Sequence, residues 1–196
     1  HGLLFWDGDI LLAYALVGLV CWRLVRDARD VKALFNTGAM LYVIGVAVLL
    51  LLGLIADNGQ SRSWVPDASN LLYEHYWKLN GGFEAISNRS DMLSANLLAL
   101  GAQYGWQLAG MMLMGAALMR CGWLKGQFSH RHYRRCAVLC ISLGMLINLP
   151  AIAAQWHLDW AYRWCAFLLQ APREISAPIQ TLGYAALAYA YWPQIS

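Results

Sequence analysis

The sequence contains apolar blocks that are long enough to cross a lipid bilayer, and this feature constrains the fold more than any other. The clearest block covers residues 36–56 and holds no charged residue. A helix of roughly 20 apolar residues spans a hydrocarbon layer of about 30 Å. Four further apolar blocks lie at residues 5–25, 93–119, 136–155 and 174–192. We therefore predict an all-α integral membrane fold with about five transmembrane helices.

The composition supports this prediction. Of the 196 residues, 60% are apolar or aromatic and only 13% are charged, whereas soluble domains are about 25% charged. Tryptophans stand where apolar blocks meet polar ones, at Trp22, Trp64, Trp77, Trp123, Trp156, Trp160 and Trp192, as in the aromatic belts of membrane proteins. The net charge of +3 comes from short basic loops. It favours the lipid bilayer as a partner over nucleic acid.

The loops between the blocks differ in charge, and this difference predicts the topology. Basic residues dominate the short loops 26–35 and 120–135, whereas acidic residues outnumber basic ones in the longer loop 57–92. Lys and Arg collect on the cytoplasmic side. We therefore predict that loops 26–35 and 120–135 are cytoplasmic, that loop 57–92 is extracytoplasmic, and that residues 68–80 form a surface helix. The protein is expected in the bacterial inner membrane.

Polar side chains within or beside the spans are the candidate site residues, because such groups are costly in a membrane. They are Asp7 and Asp9 at the outer end of the first span, Gln103 and Gln107 on the third, and Arg173 and Glu174 at the start of the last. Each pair also has a purely structural interpretation. The aspartates suit a helix cap in interfacial water, the glutamines suit a bond between helices, and the last pair suits an interfacial ion pair.

The residues point to no metal and no resident cofactor. His130 and His132 lie near Cys121, Cys136 and Cys140, but their spacing matches no zinc framework and the surrounding arginines repel cations. The cysteines are five in number and stand partly beside predicted cytoplasmic loops, so no disulfide framework is expected. Known phosphate-binding and hydrolase motifs are absent from the sequence, and no catalytic residue is identified.

Three segments resemble the bacterial YeiB-like family of inner-membrane proteins. They are HGLLFWDGDILLAYALVGL at residues 1–19, LAGMMLMGAALMRCGWL at 108–124 and PIQTLGYAALAYA at 178–190. The most specific part is Gly8-Asp9-Ile10, followed by Tyr14, Ala15 and Gly18. The resemblance implies a longer parent protein, so this chain is expected to be a piece of a larger helical bundle, with the missing spans as partners.

The resemblance also implies two functions. One is transport of a small molecule across the membrane. The alternative is a membrane-embedded acyltransferase that moves an acyl group from a coenzyme A donor to a substrate, with acyl-coenzyme A as its only cofactor. In that case Asp9 lies at the reaction cavity, and a cytoplasmic basic mouth holds the donor phosphate. The mouth comprises Arg120, Lys125, Arg131, Arg134 and Arg135. The catalytic histidine of the related acyltransferases is expected upstream of His1.

Overall fold

The computed structural model describes residues 10–57 and 67–191, and every regular element within these ranges is a helix. The all-α prediction is therefore confirmed for them. The α-helices are α1 (Leu11–Asp27), α2 (Val31–Ile55), α3 (Ala68–Asn80), α4 (Gly82–Ala99), α5 (Gly105–Arg120), α6 (His130–His157) and α7 (Gln170–Tyr191). Two π-helical segments, Leu100–Tyr104 and Trp164–Leu168, precede α5 and α7, and a 3-10 turn, Trp123–Lys125, precedes α6.

Side-chain caps decide where several helices begin. The Asp30 carboxylate accepts hydrogen bonds from the backbone N–H groups of Lys32 and Ala33, at 3.0 and 3.2 Å, and so begins α2. The Ser129 hydroxyl accepts from the backbone N–H of His132 at 3.3 Å and begins α6. Such caps satisfy N–H groups that have no partner inside the helix. Both helices therefore begin several residues before the predicted spans 36–56 and 136–155.

The predicted span 93–119 is not one regular helix. Its α-helical path is interrupted by the π-helical segment Leu100–Tyr104, where the indole N–H of Trp106 donates to the carbonyl oxygen of Gly101 at 3.1 Å. A Cβ atom at Gly105 would lie 2.2 Å from the carbonyl oxygen of Leu100. Only glycine therefore fits the end of this wider turn.

The polar residues 82–92, which the sequence analysis assigned to a loop, form the first half of α4. The surface helix expected at residues 68–80 is α3. The chain reverses between the two helices at Gly81, whose φ of 67° suits glycine. The two helices pack against each other, and Trp77 of α3 and Ala85 of α4 are only 2% and 3% exposed. No local pattern indicates this burial.

Close contact between α2 and α5 forms the centre of the fold. A Cβ atom at Gly110 would lie 2.6 Å from the carbonyl oxygen of Gly38, so the two backbones approach more closely than any side chain allows. α1 packs against α5 through a cluster that contains Val17, Cys21 and Leu113. α6 and α7 form a second close pair, in which a Cβ atom at Gly183 would lie 2.7 Å from Cγ1 of Ile141.

Many large apolar side chains on the helices face outward. Val43 on α2 is 65% exposed and Leu146 on α6 is 70% exposed. Within the described ranges, α2 and α6 are long and apolar enough to cross a membrane, with mean hydropathies of 2.6 and 2.2 over their most apolar 18 residues. This finding concerns length and composition alone.

Candidate functional site

A cleft of about 840 Å³ opens among six of the helices, α1, α2 and α4 to α7, and both π-helical segments. Its apolar walls come mainly from α1, α2 and α5, and its polar groups come from α1, α2, the α4–α5 region, α6 and α7. The polar lining residues are Tyr14, Tyr42, Asn96, Gln103, Tyr104, Gln107, Gln155, Gln170, Arg173 and Glu174. The volume lies within the range of about 300–1,000 Å³ that is usual for small-molecule sites.

A chain of hydrogen bonds connects two helices across the cleft. The Gln103 amide donates to the Gln107 side-chain oxygen at 2.7 Å, and the Gln107 amide lies 3.5 Å from Oε2 of Glu174, a long hydrogen bond. Oε1 of Glu174 accepts a shorter bond, 2.6 Å, from the Gln170 amide. Gln103 and Gln170 thus donate to side chains four positions later in the chain, whereas Gln107 donates to the Glu174 carboxylate on α7.

Gly45 of α2 allows the glutamines to reach this position. A Cβ atom at Gly45 would lie 2.6 Å from Cγ of Gln107. The Gln103 amide also lies 3.4 Å from the Gly45 carbonyl oxygen. The absence of a side chain at this one position thus lets α5 place both amides against α2, where Gln107 is only 7% exposed.

A tyrosine hydroxyl holds the start of α7 against α2. The Tyr42 hydroxyl donates a hydrogen bond of 2.6 Å to the backbone carbonyl oxygen of Glu174. In a regular helix this carbonyl would accept from the N–H of residue 178, but Pro178 has none. A buried carbonyl without a partner is costly, so Tyr42 supplies the bond that the proline removes and brings Glu174 to the cleft.

An arginine joins the second π-helical segment to the end of α2. The Arg163 guanidinium donates to the carbonyl oxygens of Gly53 at 2.7 Å and Leu54 at 3.2 Å. These carbonyls belong to the last turn of α2, which carries a partial negative charge and has no further helical N–H partners. Gly53 also permits close approach, since a Cβ atom there would lie 2.7 Å from Cβ of Phe167.

Within the described ranges, the cleft contains two charged residues that form no ion pair and a buried amide that forms no hydrogen bond. Arg173 and Glu174 are adjacent and both line the cleft, yet neither takes part in an ion pair within the described ranges. The two side chains therefore do not pair with each other within the described ranges. Gln155, from the end of α6, is only 2% exposed and also lines the cleft. Among the described residues its side-chain amide has no hydrogen bond.

The structure brings four of the six predicted site residues into one place. Gln103, Gln107, Arg173 and Glu174 line the same cleft although 70 positions separate the first from the third. Asp7 and Asp9 lie outside the described residues. The Gln103 amide donates to Gln107 and to the Gly45 carbonyl oxygen of α2, and the Gln107 amide donates to Glu174 of α7. The two glutamines therefore also form hydrogen bonds between helices, which was their purely structural interpretation.

The predicted basic mouth lies away from the cleft. Arg120 follows Gln107 by 13 positions on α5, a separation of about 20 Å along a helix. Its guanidinium donates to the carbonyl oxygens of Ala28, at 2.6 Å, and Val25, and thus caps the end of α1. Arg134 lies over the ring of Tyr191, the last residue of α7. None of the five mouth residues lines the cleft; they are Arg120, Lys125, Arg131, Arg134 and Arg135.

Several cleft residues escaped the sequence analysis. Gln155 is the last residue of the predicted span 136–155, Gln170 lies in the stretch between that span and the last one, and Tyr42 lies inside the apolar span 36–56. One local signal existed, because Gln170 precedes Glu174 by one helical turn. For Tyr42 the signal was indirect, since the interior proline at position 178 implies a carbonyl in need of a donor.

Comparison with known proteins identifies relatives of unknown role. A family model described as "Protein of unknown function (DUF418)" matches residues 118–196. The chain is 74% identical over 196 residues to "Uncharacterized protein YeiB" of Escherichia coli (strain K12), an alignment that covers 100% of this chain and 51% of that protein. The chain thus spans about half the length of this curated relative. No solved structure matches it.

Proposed function

We propose that this chain, which matches the YeiB-like family, is a multi-pass domain of the bacterial inner membrane that binds a small polar molecule and takes part in its transport. The observation that carries this proposal is the cleft, in which polar groups and both π-helical segments meet between apolar helices.

Membrane insertion is supported by helix length and by outward-facing apolar side chains. α2 has 25 residues, which corresponds to about 37 Å and exceeds a hydrocarbon layer of about 30 Å. The proposed topology places the α1–α2 loop and the α5–α6 loop in the cytoplasm, because both are rich in arginine. The cleft, about 20 Å along α5 from Arg120, then belongs to the extracytoplasmic half.

Cys121 offers a direct test of this topology because its thiol is exposed in the basic loop. In a variant of the full-length protein with Cys121 as its only cysteine, a membrane-impermeant maleimide should label inverted inner-membrane vesicles and spare intact spheroplasts. Labelling of intact spheroplasts contradicts the orientation. Extraction of the protein by alkaline carbonate contradicts membrane insertion itself.

Binding and transport are supported by the interruptions of the helices beside the cleft. The segments Leu100–Tyr104 and Trp164–Leu168 contribute Gln103, Tyr104 and Cys165 to its lining. π-helical turns occur frequently at functional sites, and transporters bind substrates where helices depart from regular geometry.

Transport is tested with the full-length protein in proteoliposomes loaded with an isotopically labelled bacterial metabolite extract. A transported compound should leave the liposomes with wild type and leave several-fold more slowly with Gln107→Leu, which removes the amide facing Glu174. Arg131→Gln is the matched control, since Arg131 is exposed and lies outside the cleft. If no compound moves with wild type, transport is excluded.

Acyl transfer is the competing hypothesis and has a different product. It requires a coenzyme A donor near the cleft, whereas the basic residues proposed to hold the donor lie towards the other end of α5. In the same preparation, if the mass of any metabolite increases only when an acyl-coenzyme A donor is present, the activity is acyl transfer and not transport. Retention of all masses together with movement across the membrane supports transport.

A further inference from the structure

Arg173 and Glu174 place opposite charges side by side in one cleft without neutralising each other. Both residues line the cleft, and neither forms an ion pair within the described ranges. Arg173 is exposed and Glu174 is half-buried, and each charge attracts a group of opposite sign. The arrangement therefore leaves both charges available to a ligand that enters the cleft.

The protein partners of Glu174 are amides and not cations. Oε1 accepts from the Gln170 amide at 2.6 Å, and Oε2 lies 3.5 Å from the Gln107 amide. These bonds orient the carboxylate but leave its charge in place. Because a carboxylate offers about four acceptor positions, two remain for an ammonium group from a ligand.

Arg173 is oriented through its backbone and keeps its guanidinium available. Its carbonyl oxygen accepts from the Ser176 hydroxyl at 2.9 Å, whereas its side chain has no hydrogen bond among the described residues and is exposed at the cleft. A guanidinium presents two parallel N–H donors to a carboxylate. The buried amide of Gln155 adds a further donor that lacks a protein partner in the described ranges.

We infer that the cleft binds a zwitterionic molecule of the amino-acid type, with its ammonium group at Glu174 and its carboxylate at Arg173 and Gln155. The inference rests on the proposed binding of a small polar molecule. A simple anion would meet the uncompensated charge of Glu174, and a simple cation would meet that of Arg173. A zwitterion supplies a counter-charge to each residue. It also brings no net charge into a cleft in which the charges of Arg173 and Glu174 cancel.

The cleft also has room and surface for the rest of such a molecule. Its volume of about 840 Å³ exceeds that of a small amino acid, and Tyr14, Tyr104 and Trp160 line it. Aromatic faces and amides accept a side chain or a short peptide without a further charge. The inferred class therefore includes free amino acids and small peptides.

The test measures thermal stabilisation and Kd of the full-length protein in detergent. The probes are the twenty common amino acids and the dipeptide Ala-Gln, and every binder is compared with its C-terminal amide and its N-acetyl derivative. At least one zwitterion should bind, and both derivatives, each of which lacks one charge, should bind at least about tenfold more weakly, a difference of 1.4 kcal/mol.

Two variants assign each charge to its residue. Arg173→Gln should remove the preference for the free acid over the amide, and Glu174→Gln should remove the preference for the free amine over the N-acetyl form. Arg173→Lys keeps the charge and should restore part of the first preference, which a merely structural role does not predict. Arg131→Gln should keep both preferences, because this residue lies outside the cleft.

Binding of no probe, or equal binding of a zwitterion and its two derivatives, overturns the inference. The experiments distinguish a wrong ligand class from a wrong assignment of transport. Movement of an uncharged or singly charged metabolite in proteoliposomes, without zwitterion binding, supports transport and contradicts this ligand class. Zwitterion binding without movement supports the ligand class and contradicts transport.

Discussion

The hydroxyl of Tyr42 on α2 donates a hydrogen bond of 2.6 Å to the backbone carbonyl oxygen of Glu174 on α7, 132 positions later in the chain. This carbonyl has no helical partner because residue 178 is proline. The bond therefore compensates for a local defect in α7 and at the same time fixes the cleft wall that carries Arg173 and Glu174.

Tyr42→Phe should destabilise the protein by about 1–3 kcal/mol, because it leaves the Glu174 carbonyl without a partner. The measurement is thermal or chemical unfolding in detergent. Tyr184→Phe on the exposed face of α7 is the control and should have little effect, since Tyr184 is 56% exposed. Pro178→Ala should rescue Tyr42→Phe in part by restoring an N–H donor. A double variant that shows no such rescue would contradict the compensation.

Gly110→Ala should separate α2 from α5, because the new Cβ atom would lie 2.6 Å from the carbonyl oxygen of Gly38. Overpacking of this kind costs about 1–3 kcal/mol, and the loss is measured as a lower midpoint of unfolding. Gly115→Ala on the same helix meets no atom within 4 Å and should be neutral or slightly stabilising. Equal effects of the two substitutions would argue against the close crossing.

Arg163→Ala should loosen the second π-helical segment, because two carbonyl oxygens at the end of α2 lose a charged donor. A hydrogen bond to a charged group contributes about 1.5–3 kcal/mol. Hydrogen exchange should therefore increase at residues 164–168 and at the end of α2. Arg131→Ala should change neither region, and protection that persists in Arg163→Ala would disprove the anchoring role.

The start of α3 should lose stability in acid. The Asp67 carboxylate accepts a hydrogen bond from the backbone N–H of Asn70 and another from the Ser69 hydroxyl, and these bonds hold the pKa of Asp67 below its usual value. A carboxyl whose pKa is lowered on folding stabilises the helix above its unfolded pKa of about 3.9. This contribution disappears as the pH falls through the lower folded value.

The measurement is hydrogen exchange of the first turn of α3 from pH 6 downward, corrected for intrinsic exchange. Asp67→Asn keeps a capping oxygen but has no proton to gain, so its protection should not depend on pH in this range. A wild-type profile as flat as that of the variant would contradict the role of the Asp67 carboxylate.

Local patterns predicted much of the helical content and part of the cleft. The apolar block at 36–56 lies within α2 up to its C-cap Ala56, the block at 136–155 lies within α6, and residues 68–80 form α3. Gln103 and Gln107 were predictable as neighbours because they are one helical turn apart. The path of residues 82–105 was not predictable, since burial of Trp77 and the close fit at Gly105 depend on neighbours from other turns.

The sequence by itself determined most of the helical segments, although not residues 82–92, and which polar residues share a turn, because these properties depend on side chains a few positions apart. Only the tertiary structure decided that Gln155, Gln170 and Tyr42 join the cleft and that Arg120 instead caps α1. The reason is physical. Helix register and crossing depend on the closest approach of distant backbones, here at Gly38, Gly45 and Gly110, and no local periodicity encodes which glycines will meet.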